Sequence, residues 1–168
     1  DCGVQADLTI SRLGSDSYRV VTGGADGNRD WVTLRNYRDD NGLNVDINIR
    51  THDIATIGLW GPKAANALGN FIDPNDIDIK NFPFVTAKNL TLNLSGEKKV
   101  DVWAARISYV GESGWEIYFN NDKDDGLALY DSLLEVGVIP VGIETYANSR
   151  RLEKCFRLQG ADLETEYN

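Results

Sequence analysis

The side chains of this sequence that could take part in chemistry are few and lie far apart along the chain. The single histidine, His52, lies between Thr51 and Asp53, where Ser/His/Asp chemistry would have to use it. A lone histidine at the entrance of a strand is more often a surface residue. The sequence also has no Walker loop, no GxGxxG after a strand, no HExxH and no GxSxG. These residues alone therefore specify no mechanism.

Asp7 is a more informative acid. It follows Ala6 and comes directly before an apolar strand pattern. Its carboxylate could therefore project from the start of a strand into a pocket. The alternative is a solvated carboxylate in a turn, and spacing alone does not exclude it.

Glu116 raises the same question because its neighbours are large and apolar. Strand alternation places Glu116 and Tyr118 on one face of the sheet, and Trp115, Ile117 and Phe119 on the other. A buried carboxylate without donors is costly. Either the face that carries Glu116 is solvated, or the carboxylate receives two N–H donors from a ligand. A planar heterocycle with an amino group beside a ring N–H would suit a bidentate carboxylate.

Composition excludes several classes of partner. With 168 residues, of which 42% are hydrophobic, the chain can bury a core and has the size of one domain or two small subdomains. The formal charge of −9 and the scattered basic residues argue against nucleic acid. No apolar run approaches the ~20 residues of a membrane span, and the first residues do not resemble a signal peptide.

The cysteines and the start of the chain carry two further expectations. Cys2 and Cys155, with one histidine and no CxxC, are too few soft ligands for a metal site, so we expect buried or idle thiols in a reducing compartment. The chain contains no methionine and opens inside a strand-like pattern. We therefore expect it to be a piece of a longer protein.

The apolar spacing predicts paired strands interleaved with helices. An initial hairpin has strands at 8–13 and 18–21, and the segment 73–76 is predicted as a loop. Further strands are predicted at 45–49, 54–60, 100–108 and 115–119, and helices at 26–40, 62–71, 126–136 and 146–156. A polar, strand-rich region precedes a turn at 96–99. Short links between neighbouring strands indicate an α+β fold with antiparallel sheets.

Five segments, in the correct order, resemble the aminomethyltransferase (glycine-cleavage T-protein) folate-binding family. Residues 3–10 (GVQADLTI) resemble its GGVxxDxTV segment, 18–23 (YRVVTG) its F/YxVVTG strand, and 59–64 (LWGPKA) its LxGPxA turn. Residues 106–116 (RISYVGESGWE) are similar to RxxYxGExGxE, the most specific of these motifs. Residues 151–162 resemble RLEKGYRxWGxD. That last form favours the branch at the C-terminus of dimethylglycine and sarcosine dehydrogenases.

The resemblance implies a partial domain that binds tetrahydrofolate. In this family, tetrahydrofolate captures a one-carbon unit from an N-methyl amine or aminomethyl donor and becomes 5,10-methylene-tetrahydrofolate. FAD is expected only in a parent chain, outside this segment. Two alternatives stay open: folate-dependent O- or S-demethylation, and a folate-binding or interaction module without turnover.

The family's roles carry over onto four positions. Asp7 matches the catalytic acid, near the folate amine that attacks the donor carbon, where an electrostatic or proton-handling role fits. Glu116 matches the carboxylate that pairs with the pterin edge, and Tyr109 an aromatic residue of the pocket. Val21 matches a strand residue whose backbone meets the pterin. No metal site is implied.

The departures from the family pattern cluster near the C-terminus. Ala147 stands where T-proteins have an arginine, although the dehydrogenase relatives also lack it. Arg150 replaces a common leucine, Cys155 a glycine or alanine, and Gln159 a tryptophan. We expect any change in ligand affinity or substrate to arise there.

The resemblance also sets expectations for organisation and partners. We expect an incomplete domain over 1–168 with two subdomains, about 1–50 with 100–168, and 51–99. The FAD domain and the C-terminal barrel are expected to be absent, so this piece alone would bind folate weakly or not at all. The expected partners are folate, a small methylated amine and a flavin domain or other subunit. The expected location is the cytoplasm, or the mitochondrial matrix in a eukaryote.

Overall fold

A computed structural model describes residues 3–121, 124–163 and 165 and has an α+β fold. A two-stranded and a four-stranded sheet, both antiparallel, are accompanied by short helices. The predicted fold class is confirmed. The chain divides into two compact units, which we call unit 1 (Asp1–Ile49 with Arg157–Asn168) and unit 2 (Arg50–Phe156).

Unit 1 begins with the predicted hairpin. Strands β1 (Thr9–Arg12) and β2 (Tyr18–Val21) pair antiparallel, and the N–H of Leu13 donates to the carbonyl of Ser17 at 2.8 Å across the turn. Helix α1 (Gly27–Asp40) follows and ends before Gly42, whose φ of 60° suits glycine. Both predictions are confirmed here.

The predicted strand at 45–49 is wrong. Residues 43–50 form no regular secondary structure, and Val45 and Ile49 are 54% and 55% exposed. Alternation of apolar and polar residues favours a strand only where a neighbouring strand can pair with it. In the described part of the chain this segment has no such partner.

Unit 2 is built on the four-stranded sheet. Its strands lie in the order β3–β6–β5–β4, every neighbouring pair antiparallel. They are β3 (Ile54–Trp60), β4 (Ala87–Asn93), β5 (Lys99–Ala105) and β6 (Gly114–Asn120). This pairing groups residues 100–156 with 50–99, because β4 and β5 are joined by a short turn. The division therefore differs from the expected subdomains, which separated these two strands.

One face of this sheet packs against three helices and forms the core. These are α2 (Ala64–Leu68), α3 (Pro74–Ile77) and α4 (Asp125–Glu135). Trp115 and Ile117 of β6 are fully buried there with Leu68 of α2 and Leu129 of α4. Burial of each such side chain contributes about 1.5–3 kcal/mol, so unit 2 has a substantial apolar core.

Helix α3 lies where a loop was predicted. The carboxylate of Asp73 accepts the backbone N–H of Asn75 at 2.9 Å, and Pro74 occupies the first position of the helix. An aspartate cap followed by proline is the usual start of a helix. The prediction failed because the resulting helix is a single turn.

The last helical region starts at residue 145. A π-helical segment (Thr145–Arg150) continues into the single turn α5 (Arg151–Glu153), a shorter element than the predicted 146–156. Cys155 just beyond it is an exposed free thiol, whereas Cys2 lies outside the described residues. No helix in the described ranges is long and apolar enough to cross a membrane.

Candidate functional site

Strand β6 presents Glu116 and Tyr118 on the face opposite the core, as alternation predicted. The Tyr118 hydroxyl donates a hydrogen bond to Oε2 of Glu116. Glu116 is half-buried, and its neighbours Trp115 and Ile117 point into the core. The carboxylate is therefore held on the sheet but open to solvent on one side.

Strand β3 supplies the first aromatic ring beside this carboxylate. The strand register places Gly58 directly opposite Glu116, and Trp60 lies two residues further along the same face. The indole of Trp60 folds back over Gly58, where a Cβ atom would come within 2.1 Å of the ring. Its Nε1 donates to the carbonyl of Ile107 at 2.9 Å. Glycine at position 58 thus makes room for the ring.

Further rings continue from Trp60 across unit 2. Trp60 stacks on Tyr146 with ring centroids 5.3 Å apart, and Tyr146 lies 5.7 Å from Tyr109. Tyr109 in turn stacks on Phe156 at 6.1 Å. On the sheet, Trp103 packs edge-on against Tyr118 at 5.2 Å. We call these six residues the aromatic face: Trp60, Trp103, Tyr109, Tyr118, Tyr146 and Phe156.

The electrostatics of this face centre on Glu116. Burial raises the pKa of Glu116, and the hydrogen bond from Tyr118 lowers it in part. Burial also raises the pKa of Tyr146 to about 12, with smaller contributions from the charge of Glu116 and from Tyr109. Within the described residues Glu116 has no ion pair with a basic side chain. Its carboxylate can therefore accept N–H donors from a bound molecule.

The loop that carries Tyr109 is anchored at its start by a buried arginine. Arg106 is 8% exposed, and its NH1 donates to the carbonyls of Phe82 at 2.7 Å and Ile77 at 3.1 Å. Its guanidinium lies over the Trp115 ring at 5.0 Å. The arginine of the RxxYxGExGxE motif therefore fixes the loop to the core.

The same loop is tied to the helical region by an ion pair. Arg150 NH2 lies 2.6 Å from Oε1 of Glu112, and its NH1 lies 2.9 Å from Glu153. The Lys154 side chain crosses next to Gly111, whose φ of 71° suits glycine. These contacts hold the segments that carry Tyr109 and Tyr146 against each other.

Two of the four predicted site residues belong to unit 1. Asp7 is exposed, and its N–H donates to Oε1 of Gln159 at 2.6 Å. Val21 ends β2, opposite Thr9, and is half-buried. In unit 2, Tyr109 and Glu116 both lie close to Tyr146. Asp7 and Val21 belong to unit 1.

Comparison with known sequences decides the family. The GCVT N-terminal domain family matches residues 1–168. The chain belongs to this family. It is 32% identical to human mitochondrial dimethylglycine dehydrogenase over 98% of the chain and 18% of the relative. It is 29% identical to the aminomethyltransferase of Herpetosiphon aurantiacus over 100% of the chain and 43% of the relative. It thus spans less than half the length of these relatives.

Sequence reasoning missed most of the aromatic face of this GCVT-family chain. Trp60 and Tyr146 were assigned only to a strand and a helix. Alternation along β3 would have placed Trp60 and Gly58 on the same face of the strand. The position of Trp60 beside Glu116, however, depends on the register between β3 and β6. Tyr146 reaches the face through the placement of a helix, which no local pattern specifies.

His52 is an exposed residue in a turn, as expected for a lone histidine. Across the described ranges, no group of three or more histidine, cysteine, aspartate or glutamate side chains could hold a metal ion. The arrangement of unit 2 is suited to a flat, N–H-bearing ring: aromatic surfaces for stacking and one carboxylate for hydrogen bonds.

Proposed function

We propose that the protein containing this chain transfers a one-carbon unit to tetrahydrofolate and forms 5,10-methylene-tetrahydrofolate. One observation carries the proposal: the half-buried carboxylate of Glu116, which has no cationic partner among the described residues, lies beside the aromatic face. Membership of the GCVT family and the name aminomethyltransferase of one relative agree with it.

Glu116 would hold the pterin by its edge. A pterin presents an amino group beside a ring N–H, and a carboxylate can accept both. Tyr118 occupies only part of the acceptor capacity of Oε2. Tyr109 would add an aromatic wall. For Val21, which belongs to unit 1, the backbone contact is what the family resemblance implies. Such a site fits the ring because it combines stacking surface with one fixed acceptor pair.

Asp7 would serve the transfer step. Its carboxylate forms no hydrogen bond or ion pair within the described part of the chain, so its charge is available to a substrate. A negative charge near the reacting carbon stabilises the cationic donor or takes up a proton during transfer.

The donor would be an aminomethyl group or an N-methyl amine. Transfer from an aminomethyl group held on a second heteroatom needs no oxidant, because its carbon already has the formaldehyde oxidation level of the methylene in 5,10-methylene-tetrahydrofolate. The two bonds that form to the folate nitrogens replace the two that break, and the protons of those nitrogens leave with ammonia and with the carrier heteroatom. An N-methyl amine must first lose two electrons, a step that FAD in another domain of a longer chain would perform. The name of the relative dimethylglycine dehydrogenase favours the second case.

Calorimetric titration of the full-length protein with tetrahydrofolate tests the binding site. Glu116→Ala should weaken binding by about 2 kcal/mol, or about 30-fold, since it removes a charge-assisted pair. Glu135→Ala, which removes a carboxylate at the end of α4, serves as the control and should bind like wild type. If wild type binds and Glu116→Ala binds equally well, the pterin assignment is wrong.

Asp7→Asn distinguishes an enzyme from a binding module. In an enzyme, this change should lower folate-dependent turnover strongly and leave the dissociation constant of tetrahydrofolate nearly unchanged. A protein that binds tetrahydrofolate without turnover in either form would be a non-catalytic module. If wild type binds no folate at all, the family fold would serve another purpose.

A further inference from the structure

The segment that carries Asp7 is held by one side chain from the other end of unit 1. Residues 3–8 form no regular structure before β1 begins at Thr9. Across this segment the Gln159 Oε1 accepts the N–H of Asp7 at 2.6 Å, and the Gln159 Nε2 donates to the carbonyl of Gln5 at 2.6 Å. We call this pair of hydrogen bonds the amide clamp.

The amide clamp has the pattern of a strand pairing. Along an extended chain, the carbonyl of one residue and the N–H of the residue two positions later point to the same side. There, the N–H and C=O of one residue in a parallel neighbouring strand would normally bond to both. A glutamine carboxamide offers the same acceptor and donor. The Gln159 side chain therefore takes the place of the backbone N–H and C=O of one residue of a neighbouring strand.

The turn that presents Gln159 is itself well fixed. Gly160, with φ of 81°, donates its N–H to the carbonyl of Leu163 at 2.7 Å, and the N–H of Leu158 donates to Oδ2 of Asp162 at 2.8 Å. Hydrogen bonds on both sides of Gln159 thus restrict where its carboxamide lies. The position of Asp7 depends on this turn.

Asp7 has no other support for its side chain among the described residues. Its carboxylate is exposed and forms no hydrogen bond or ion pair there. The direction of its Cα–Cβ bond is consequently set by its backbone, and the clamp bonds that backbone directly.

We propose that Gln159 is a positioning residue for the carboxylate of Asp7 and acts through the backbone of residues 5–7. This inference rests on the proposed function, in which Asp7 serves the transfer step. Gln159 touches no substrate in this scheme. Its loss would misplace the Asp7 carboxylate while leaving the folate-binding face of unit 2 unaltered.

The test uses the full-length protein with Gln159→Leu, which keeps the size of the side chain but removes both hydrogen bonds. The amide hydrogen of Asp7 should exchange faster than in wild type. Gln5→Leu is the matched control, because it changes a glutamine of the same segment but keeps the carbonyl of the clamp. It should leave the exchange of the Asp7 amide unchanged.

Kinetics separate positioning from a purely structural role. Gln159→Leu should lower kcat about tenfold or more, since a misplacement of about 1 Å can cost 100-fold, and KM for tetrahydrofolate should change less than about twofold. In an Asp7→Asn background, adding Gln159→Leu should cost nothing further. A second variant, Gln159→Ala, also removes both hydrogen bonds and should show the same faster exchange, which covers the case that Gln159→Leu does not fold.

The outcomes are distinct. Unchanged exchange of the Asp7 amide in Gln159→Leu or in Gln159→Ala would overturn the clamp. Faster exchange with unchanged kcat would overturn the positioning role, as would an equal loss of kcat in the Asp7→Asn background. A wild-type protein without folate-dependent turnover would instead refute the proposed function, and the exchange measurements would still test the clamp.

Discussion

At Glu116 the fold holds a carboxyl group whose charged form it disfavours. Burial among aromatic rings raises the pKa, and the Tyr118 hydroxyl offsets only part of that effect. A group that only stabilised the sheet would gain nothing from this placement. The placement would suit a carboxylate that accepts two N–H donors from a ligand, as proposed for the pterin, because the ligand would then supply the missing hydrogen-bond partners.

Replacing Glu116 by glutamine should expose this cost as a function of pH. The folded pKa lies above the ordinary value of 4.5, so wild-type stability falls as pH rises from about 4.5 through the folded pKa. Glutamine carries no charge and can still accept from Tyr118. Glu116→Gln should therefore be more stable than wild type at pH 7 and nearly equal to it at about pH 4 and below.

Urea unfolding of both proteins at the two pH values measures the difference. Glu135→Gln, at an exposed carboxylate, provides the comparison and should show little pH-dependent gain. An equal gain at both pH values would mean that the charge of Glu116 is not the cause.

Residue-scale prediction from sequence succeeded where it depended on local geometry. Alternation alone placed Glu116 and Tyr118 on one face, because neighbouring side chains of a strand point to opposite sides. The same reasoning could not bring Trp60 to Glu116, since that depends on the register between β3 and β6. For Asp7, spacing left two alternatives, and the clamp by Gln159 spans 152 positions of sequence.

At the scale of elements, the end of α5 carries a residue unsuited to its backbone. The N–H of Phe156 donates to the carbonyl of Arg151 at 2.9 Å, and the N–H of Cys155 to that of Leu152 at 3.0 Å. This is the Schellman arrangement, in which the residue beyond the helix has positive φ and is usually glycine. Cys155, with φ of 58°, occupies that position.

Cys155→Gly should therefore stabilise the protein by about 1 kcal/mol, because glycine removes the strain of the left-handed conformation. Thermal unfolding of the full-length protein measures the gain. Cys155→Ala keeps the Cβ atom and should show no comparable increase. If alanine and glycine stabilise equally, removal of the thiol rather than relief of the backbone is responsible.

The ion pair between Glu112 and Arg150 joins two elements. A double-mutant cycle with Glu112→Gln and Arg150→Met should give a coupling of about 0.5–1 kcal/mol in unfolding free energy, since both side chains are about one-third exposed. The coupling should decline in high salt. A cycle with Glu153→Gln and Arg150→Met should give less, because Glu153 is more exposed. Equal couplings would argue against a special role for Glu112.

Among elements, the sequence predicted the hairpin, α1, β3, β6 and α4, whose patterns are long or have clear turn signals. It failed at 45–49, where the alternation was present but a partner strand was not. It also failed at α3, which is too short for a periodic pattern. Pairing and length are properties of the neighbourhood of a segment, and a single stretch of sequence carries little of that information.

At the scale of the whole molecule, the apolar core is distributed unevenly. Every buried hydrophobic residue in the described ranges lies between Leu59 and Leu133, within unit 2. Among the described residues of unit 1, the buried side chain is that of Asp30, which is charged and adds no apolar core. The two units should therefore differ in local stability.

Amide hydrogen exchange of this 168-residue chain should reveal that difference. Amides of β5 and β6 should exchange most slowly, through opening of the whole sheet, and those of β1 and β2 considerably faster. Hydrogen bonds alone do not account for this order, because both sheets are paired. Equal protection of the hairpin and β6 would show that the chain opens as one cooperative unit.

The overall class was predictable, and the division into units was not. Paired strands joined by short links indicated α+β because such links favour antiparallel neighbours. The division required knowledge that β3 (Ile54–Trp60) pairs with β6 (Gly114–Asn120), which groups residues 100–156 with 50–99. Long-range pairing of this kind is decided by the packing of the complete sheet.

The absent side chain of Gly58 has a consequence for how this protein can vary. A strand interior normally disfavours glycine, so replacing it by another residue would ordinarily be expected to stabilise the strand. Here any Cβ would meet the folded-back ring of Trp60. In a selection for folded protein, we expect position 58 to tolerate almost nothing else, whereas Thr56, on the same face and exposed, accepts many replacements. Positions 58 and 60 should then change together over evolution or not at all.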